Sequence, residues 1–283
     1  MATLLKGAPC AAALDTRTAA LAARLAEEKG IKPQLAIVRL GQRPDDVWYE
    51  RAAQKRCAAV GVLVRPVTLP EETSQQELLV QIHALNADES VHGILIFMPL
   101  PHGIDTAAVC AALDPAKDVD GITAGSRAAV FSGSGAGFAP CTAEACLRIL
   151  EHYGIDPAGK RAAVIGRSLV IGKPAAMLLL AKNATVTMCH SRTPDLDSVV
   201  RQADIVVAAA GKIGVVGKDA FRSGQTVIDV GMNCGDDGKM CGDVVFSDAE
   251  PIVSAITPVP GGVGAVTTSV LAAHTVAAAG NPA

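Results

Sequence analysis

The chain has 283 residues, a net charge of −3 and a pI near 6.1. Half of its residues are apolar and only 3% are aromatic, which supplies a sizeable core but neither a stacking platform nor a basic footprint for nucleic acid. Charges are dispersed, with no long run of one sign. The eight cysteines form no CxxC motif, Cys141 and Cys146 are five apart, Cys234 and Cys241 seven, and the six histidines are scattered. Neither set has zinc-ligand spacing, so no metal is expected and the cysteines read as small buried hydrophobes of a reducing compartment.

In chain order, the first fourteen residues are mildly apolar, but Lys6 and Gly7 interrupt them and no basic segment precedes them, unlike a secretory signal. No run approaches ~18 uninterrupted apolar residues, so a cytoplasmic protein with no membrane partner is expected. Short apolar runs at 35–40, 63–68, 93–98, 161–165, 184–188, 204–209 and 226–230 alternate with helical patterns, which argues for parallel α/β architecture. Ser74 with Glu77 makes a capping box ahead of a helix over 78–85. Thr142 is placed as N-cap of a helix running to about His152. The glycine-rich stretch 121–139 has little periodicity and reads as a connector between two lobes. A helical pattern returns over 266–279.

The strand pattern at 161–165 leads straight into Gly166-Arg167-Ser168-Leu169-Val170-Ile171-Gly172-Lys173-Pro174 and then a helical run. Strand, glycine turn and helix form the setting in which a phosphate-binding turn is credible, because the new helix offers N–H groups and a positive dipole end to a pyrophosphate. The spacing is GxSxxxG, not GxGxxG, and taken alone it is also that of an ordinary strand-to-helix turn. The next strand ends in Cys189-His190-Ser191-Arg192-Thr193, with no carboxylate before Asp195. An NAD site would place Asp or Glu there for the ribose 2′-hydroxyl. Arg167, Ser191 and Arg192 suit a 2′-phosphate instead, so NADP is the expected cofactor. Gly211 and Met232 follow the next two strands at carboxyl ends, where ligands bind in open α/β sheets.

Three further runs are more specific: Lys117-Asp118-Val119-Asp120-Gly121, Pro140-Cys141-Thr142, and Ile256-Thr257-Pro258-Val259-Pro260-Gly261-Gly262-Val263-Gly264. Together with Leu5-Lys6-Gly7, Met98-Pro99-Leu100-Pro101 and Gly166-Arg167-Ser168, they resemble, in place and order, the methylenetetrahydrofolate dehydrogenase/cyclohydrolase family. The resemblance covers nearly the whole chain. It implies a two-lobed α/β fold around a cleft: a Rossmann-type NADP lobe at 140–264, and a smaller α/β folate lobe made of 1–120 and completed by the C-terminal helix within 265–283, with 121–139 connecting them. It also implies a homodimer, tetrahydrofolate derivatives as substrates, and a place in one-carbon metabolism. The family's reactions are oxidation of 5,10-methylenetetrahydrofolate to the methenyl cation and hydrolysis of that cation to 10-formyltetrahydrofolate.

By the same resemblance Tyr49 packs on the aminobenzoate ring of the folate, Asp120 hydrogen-bonds the pterin, and Pro260, Gly261 and Gly262 border the folate. Taken alone these are a packing tyrosine, a turn aspartate and a rigid loop. Two positions depart from the family pattern. The lysine one helical turn after the tyrosine is Ala53, and the glutamine ahead of the Pro-Leu-Pro run is Phe97. Lys55 points to another side of the helix, and Arg56 lies two turns on, about 10 Å along the axis. Losing both members of a polar pair avoids leaving one buried and unsatisfied, so the change reads as concerted. A dehydrogenase with weak or absent cyclohydrolase activity is expected. Two alternatives stay open: a fully bifunctional enzyme with Arg56 compensating, and a non-catalytic NADP-binding protein.

Overall fold

The computed structural model describes residues 1–235 and 238–280. In chain order the elements are β1 (Thr3–Leu4), α1 (Gly7–Lys29), β2 (Gln34–Leu40), α2 (Pro44–Ala59), β3 (Leu63–Leu69), α3 (Gln75–Ala87), β4 (Gly93–Ile96), α4 (Thr106–Ala112), α5 (Ala124–Ser132), α6 (Cys141–His152), β5 (Arg161–Ile165), α7 (Gly172–Ala181), β6 (Thr185–Cys189), α8 (Leu196–Gln202), β7 (Ile205–Ala208), β8 (Thr226–Asp229), β9 (Asn233–Cys234), β10 (Met240–Cys241), α9 (Phe246–Ala249), β11 (Ala255–Ile256) and α10 (Gly264–Gly280). They fall into two compact units: Ala12–Cys141 with Thr268–Ala283, and Met1–Ala11 with Thr142–Thr267. The division passes within α1 and α10. The end of the expected 265–283 segment, residues 281–283, lies outside the described residues.

The first unit holds a parallel three-stranded sheet in the order β3-β2-β4. Central β2 is buried along nearly its whole length, whereas β3 alternates in exposure. Pro66, which has no N–H to give, is tolerated in β3 because that strand is an edge. The capping box before α3 is formed: Ser74 Oγ accepts from the Glu77 N–H at 3.3 Å, and Glu77 Oε2 accepts from the Ser74 N–H at 2.8 Å. The second unit holds a sheet in the order β1-β11-β8-β7-β5-β6, every pair parallel. Strands β7 and β8 are buried throughout, and β5 after its first residue, the pattern of a sheet covered on both faces.

All seven expected strands are strands. The one predicted over 93–98 stops at Ile96, because the chain turns before Pro99. The stretch 121–139, expected without structure, carries α5, capped by Thr123 and closed by Gly133 in the left-handed region. Its buried face is Ser126 and Ala129, too small and too polar to show as periodicity. Thr142 is not an N-cap: α6 already begins at Cys141, and the Thr142 carbonyl accepts the Cys146 thiol inside the helix. The apolar N-terminal residues are spent in the sheet as β1. Among the described residues no helix is long and apolar enough to cross a membrane.

Each of the two parallel sheets has one place where the strand order reverses. In the first unit it lies between β2 and β4, in the second between β5 and β7. Loops leaving the carboxyl ends on either side of such a point diverge and open a crevice.

Candidate active site

At the reversal of the first unit, β2 leads into α2 and β4 leads into Phe97, whose N–H donates to the Val38 carbonyl at 3.0 Å. This brings Phe97 to Tyr49 of α2, edge to face, with ring centroids 5.7 Å apart at 88°. Helix α2 turns Asp46, Glu50, Ala53 and Cys57 inward. Glu50 is anchored by Arg39 of β2 at 2.6 Å and by Gln54 at 3.0 Å, while Arg39 also donates to the Gly41 carbonyl and to Thr68. That buried pair, one residue from Tyr49, fixes how α2 sits on the sheet. Ala53 is wholly buried, so the position one turn beyond Tyr49 offers only a methyl group. Arg56 is committed to an ion pair with Asp15 of α1.

The run Lys117–Gly121 divides its labour. Lys117 Nζ donates to the carbonyls of Leu85, Asn86 and Asp88 and so closes the end of α3. Asp118 accepts from the Ile122 and Thr123 N–H groups at 2.9 and 2.8 Å and turns the chain into α5. Asp120 is half-buried. Burial pushes its carboxyl up to about 6, an effect that Asp118 adds to and that hydrogen bonds from Cys141 and the nearby His274 partly offset. The Tyr49 phenol is likewise held well above its ordinary value, first by burial, then by the Asp120, Cys141 and Cys57 groups facing it. Tyr49, Phe97 and Asp120 thus lie in one cluster with Cys141.

In the second unit, Gly166 follows β5 with φ +122°, and a Cβ there would overlap the Ala209 carbonyl that follows β7. A Cβ on Gly172 would in turn overlap the Gly166 carbonyl. GxSxxxG is therefore a packing rule: its glycines let two loops and a helix meet at the reversal point. Ser168 closes the turn from within, its Oγ accepting from the Ile171 and Gly172 N–H groups at 3.1 and 3.3 Å. The first N–H of α7, expected to face a pyrophosphate, is directed at that hydroxyl. Arg167, Ser191 and Arg192 are exposed. The turn after β6 is held by its own groups, His190 N–H to Thr193 Oγ1 at 2.8 Å and Arg192 N–H to His190 Nδ1 at 3.2 Å. Asp195, the first carboxylate after this strand, caps α8 by accepting from Ser198. One of its two oxygens is thus engaged in the cap.

Two buried aspartates, which sequence reasoning missed, tie the remaining loops together. Asp243 accepts from the consecutive N–H groups of Ala210, Gly211 and Lys212 at 2.6–2.9 Å and from Asn233 Nδ2 at 2.9 Å. Asp229 accepts from Gly231, Asp243 and Val244. Burial pushes Asp229 up to about 6 against the pull of those N–H groups. Gly211 and Met232 are thereby held at the carboxyl ends of β7 and β8, Met232 65% exposed. Their only signal was the pairing of Asp-Val-Gly with Gly-Asp-Val, whose aspartates stand fourteen residues apart.

The loop 257–262 is fixed from below. Thr257 Oγ1 accepts from the Asp229 N–H at 2.7 Å, the Gly7 N–H donates to the Gly261 carbonyl at 2.8 Å, and a Cβ on Gly7 would overlap the Gly262 carbonyl. Leu5-Lys6-Gly7 is thus the seat of this loop, which leaves Pro260 and Gly261 exposed and Gly262 buried. Among the described residues no group of three or more His, Cys, Asp or Glu could hold a metal ion.

Residues 5–120 match the sequence model of the tetrahydrofolate dehydrogenase/cyclohydrolase catalytic domain, and residues 140–282 that of the NAD(P)-binding domain of the same family. The chain belongs to the tetrahydrofolate dehydrogenase/cyclohydrolase family. It is 49% identical over 280 residues to the bifunctional protein FolD of Carboxydothermus hydrogenoformans, covering 98% of this chain and 97% of that protein. The crystal structure of the bifunctional FolD enzyme of Campylobacter jejuni superposes with a TM-score of 0.96 at 38% identity over all of both chains. The Trypanosoma brucei methylenetetrahydrofolate dehydrogenase-cyclohydrolase, solved with NADP and an inhibitor, superposes with a TM-score of 0.92 at 36% identity over 99% of this chain and 97% of that one. The two-domain α/β architecture of the family is present here in full.

Proposed function

We propose that the chain oxidises 5,10-methylenetetrahydrofolate with NADP and hydrolyses the methenyl product weakly or not at all. A hydride leaves the methylene carbon with its electron pair, NADP accepts it as NADPH, and the folate is left as a nitrogen-stabilised cation. That step requires orientation and no side-chain base. Tyr49, Asp120 and the 260–262 loop supply the orientation in this reading. Hydrolysis adds water to the cation and releases a proton, which calls for acid–base help. The observation that carries the proposal is the pair of substitutions at the site: a buried methyl at Ala53, and at Phe97 a ring spent on Tyr49. The Arg56–Asp15 ion pair speaks against Arg56 as a substitute. The test is one assay that follows NADPH and the methenyl chromophore together. Equimolar accumulation of both supports the reading, whereas NADPH without the methenyl signal shows that hydrolysis survives. Bound cofactor with no NADPH formed would mean a non-catalytic protein.

The residues fit NADP on the second unit: Gly166, Arg167 and Ser168 at the turn after β5, Ser191 after β6, and Gly211 and Met232 on the loops held by Asp243 and Asp229. The capping role of Asp195 and the exposed Arg167 favour the 2′-phosphate. Arg167→Ala is expected to weaken NADP by about 1.5–3 kcal/mol, the worth of a charge-assisted bond, and to leave NAD nearly unchanged. Titration with both cofactors checks this, and equal losses would make Arg167 a structural residue. A homodimer through the second unit belongs to the same reading. Ile213, Met240, Val245 and Phe246 there keep 37–45% exposure, apolar side chains that a second copy would cover.

A further inference from the structure

Helix α10 carries one ionisable side chain, His274, among small apolar residues and threonines. It is 6% exposed. Its Nδ1 lies 2.9 Å from the Val119 carbonyl. A carbonyl only accepts, so Nδ1 carries the hydrogen and the tautomer is set. Phe138 covers the imidazole with ring centroids 4.7 Å apart at 32°. Cys141 Sγ is 3.8 Å from the same nitrogen and 3.3 Å from the same carbonyl.

This geometry acts on Asp120 in two ways. The Val119 carbonyl belongs to the peptide that joins Val119 to Asp120, so gripping it fixes the plane from which the Asp120 side chain leaves. A thiol has one hydrogen and donates weakly. The thiol gives its hydrogen to the Val119 carbonyl, which also takes the imidazole N–H, so His274 holds the shared acceptor beside Cys141, whose side chain and backbone both lower the Asp120 carboxyl. We propose that His274 is a positioning residue for Asp120, acting from the C-terminal helix through the Val119 carbonyl and Cys141.

The inference rests on the assignment of Asp120 to folate recognition. The other groups facing this carboxylate are Asp118 on its own segment, Tyr49 of α2 and Cys141 of α6, with Cys57 of α2 facing Tyr49 in turn. Both His274 and the Cys141 hydrogen bonds pull the Asp120 carboxyl down from where burial would put it. Removing the imidazole therefore moves its titration upward from about 6.

The experiment titrates the Asp120 carboxyl by carbon-13 NMR in aspartate-labelled protein, assigned with Asp120→Asn, and measures pH profiles of KM and kcat for methylenetetrahydrofolate. In His274→Ala the carboxyl midpoint should rise by about half a pH unit or more. KM should rise several-fold between pH ~6 and ~7, with a smaller change in kcat. His274→Asn, which can still donate to the Val119 carbonyl, should restore most of both. An unmoved midpoint in folded His274→Ala overturns the proposal, as does an equal loss in KM and kcat that Asn does not rescue. If His274→Ala does not fold, Cys141→Ala decides, since an unchanged midpoint there also overturns it. The carboxyl titration needs no substrate. A wild-type protein without folate-dependent NADPH formation would end the functional reading, while the titration would still judge the role of His274.

Discussion

Asp120→Asn is expected to lower kcat/KM for methylenetetrahydrofolate by about 10- to 150-fold, the loss of hydrogen bonds to a charged group of ~1.5–3 kcal/mol, with NADP affinity unchanged. The edge of a pterin offers N–H donors, and the carboxylate is the form that accepts from them. Asparagine turns one of its two acceptors into a donor, which then faces another donor. The pH dependence follows from the same group. Its folded pKa, about 6, lies above the ordinary 3.8. Its protonation therefore favours the folded state fully at low pH, and this contribution is lost as pH rises through about 6. Two consequences can be measured. Wild-type KM for the folate should climb below pH about 6, as the accepting form disappears. The Asn variant should melt no lower than wild type at pH ~8, because it no longer confines a charge. Lost turnover with an unchanged melting temperature assigns Asp120 to the substrate. Near-normal kinetics would remove it from the site.

What was legible in the sequence follows from how each signal is written. Strands β2, β5, β7 and β8 announce themselves because a parallel sheet covered on both faces needs continuous apolar runs. The short strands β1, β9, β10 and β11 have two residues each and cannot show a period. Helix α5 hides because small residues fill its buried face. Within the site, Asp120 was proposed from the motif it sits in and Tyr49 from the family resemblance alone, and the structure explains the rest of the motif: Lys117 and Asp118 are spent on holding α3 and α5. Residues that act across the fold left little trace. Arg39 and Glu50 look like ordinary charges eleven positions apart. Asp229 and Asp243 look like turn residues, although they hold the loops that present Gly211 and Met232. His274 had a faint signal, as the one ionisable side chain in an otherwise uncharged helix.

Unmodified protein is expected to release methenyltetrahydrofolate and to hydrolyse it close to the spontaneous rate, because general acid–base help worth ~10²–10⁴-fold has no group to supply it at Ala53. Hydride transfer should persist beside this loss. Restoring Ala53→Lys alone should recover little. The new side chain would start from a wholly buried position, with Phe97 in place of the polar partner of the family pattern, and burial without a partner disfavours the charged amine. Phe97→Gln alone should also recover little. It gives up the edge-to-face contact with Tyr49, worth about 0.5–1.5 kcal/mol, and presents an amide with no lysine to orient. The double variant should exceed the sum of the singles, since each residue supplies what the other lacks. The measurement is decay of the methenyl absorbance in a buffer that hydrolyses it slowly, with NADPH formation as the control for an intact site. If the unmodified protein clears the methenyl signal at enzymatic rates, another group has taken the lysine's place. Arg56→Ala is then the deciding variant, because a catalytic Arg56 would have to leave Asp15, to which it is paired. Hydrolysis that survives Arg56→Ala would place the acid–base function on another ionisable group of the cluster, such as Tyr49 or Asp120, and would end the idea that this chain is a dehydrogenase alone.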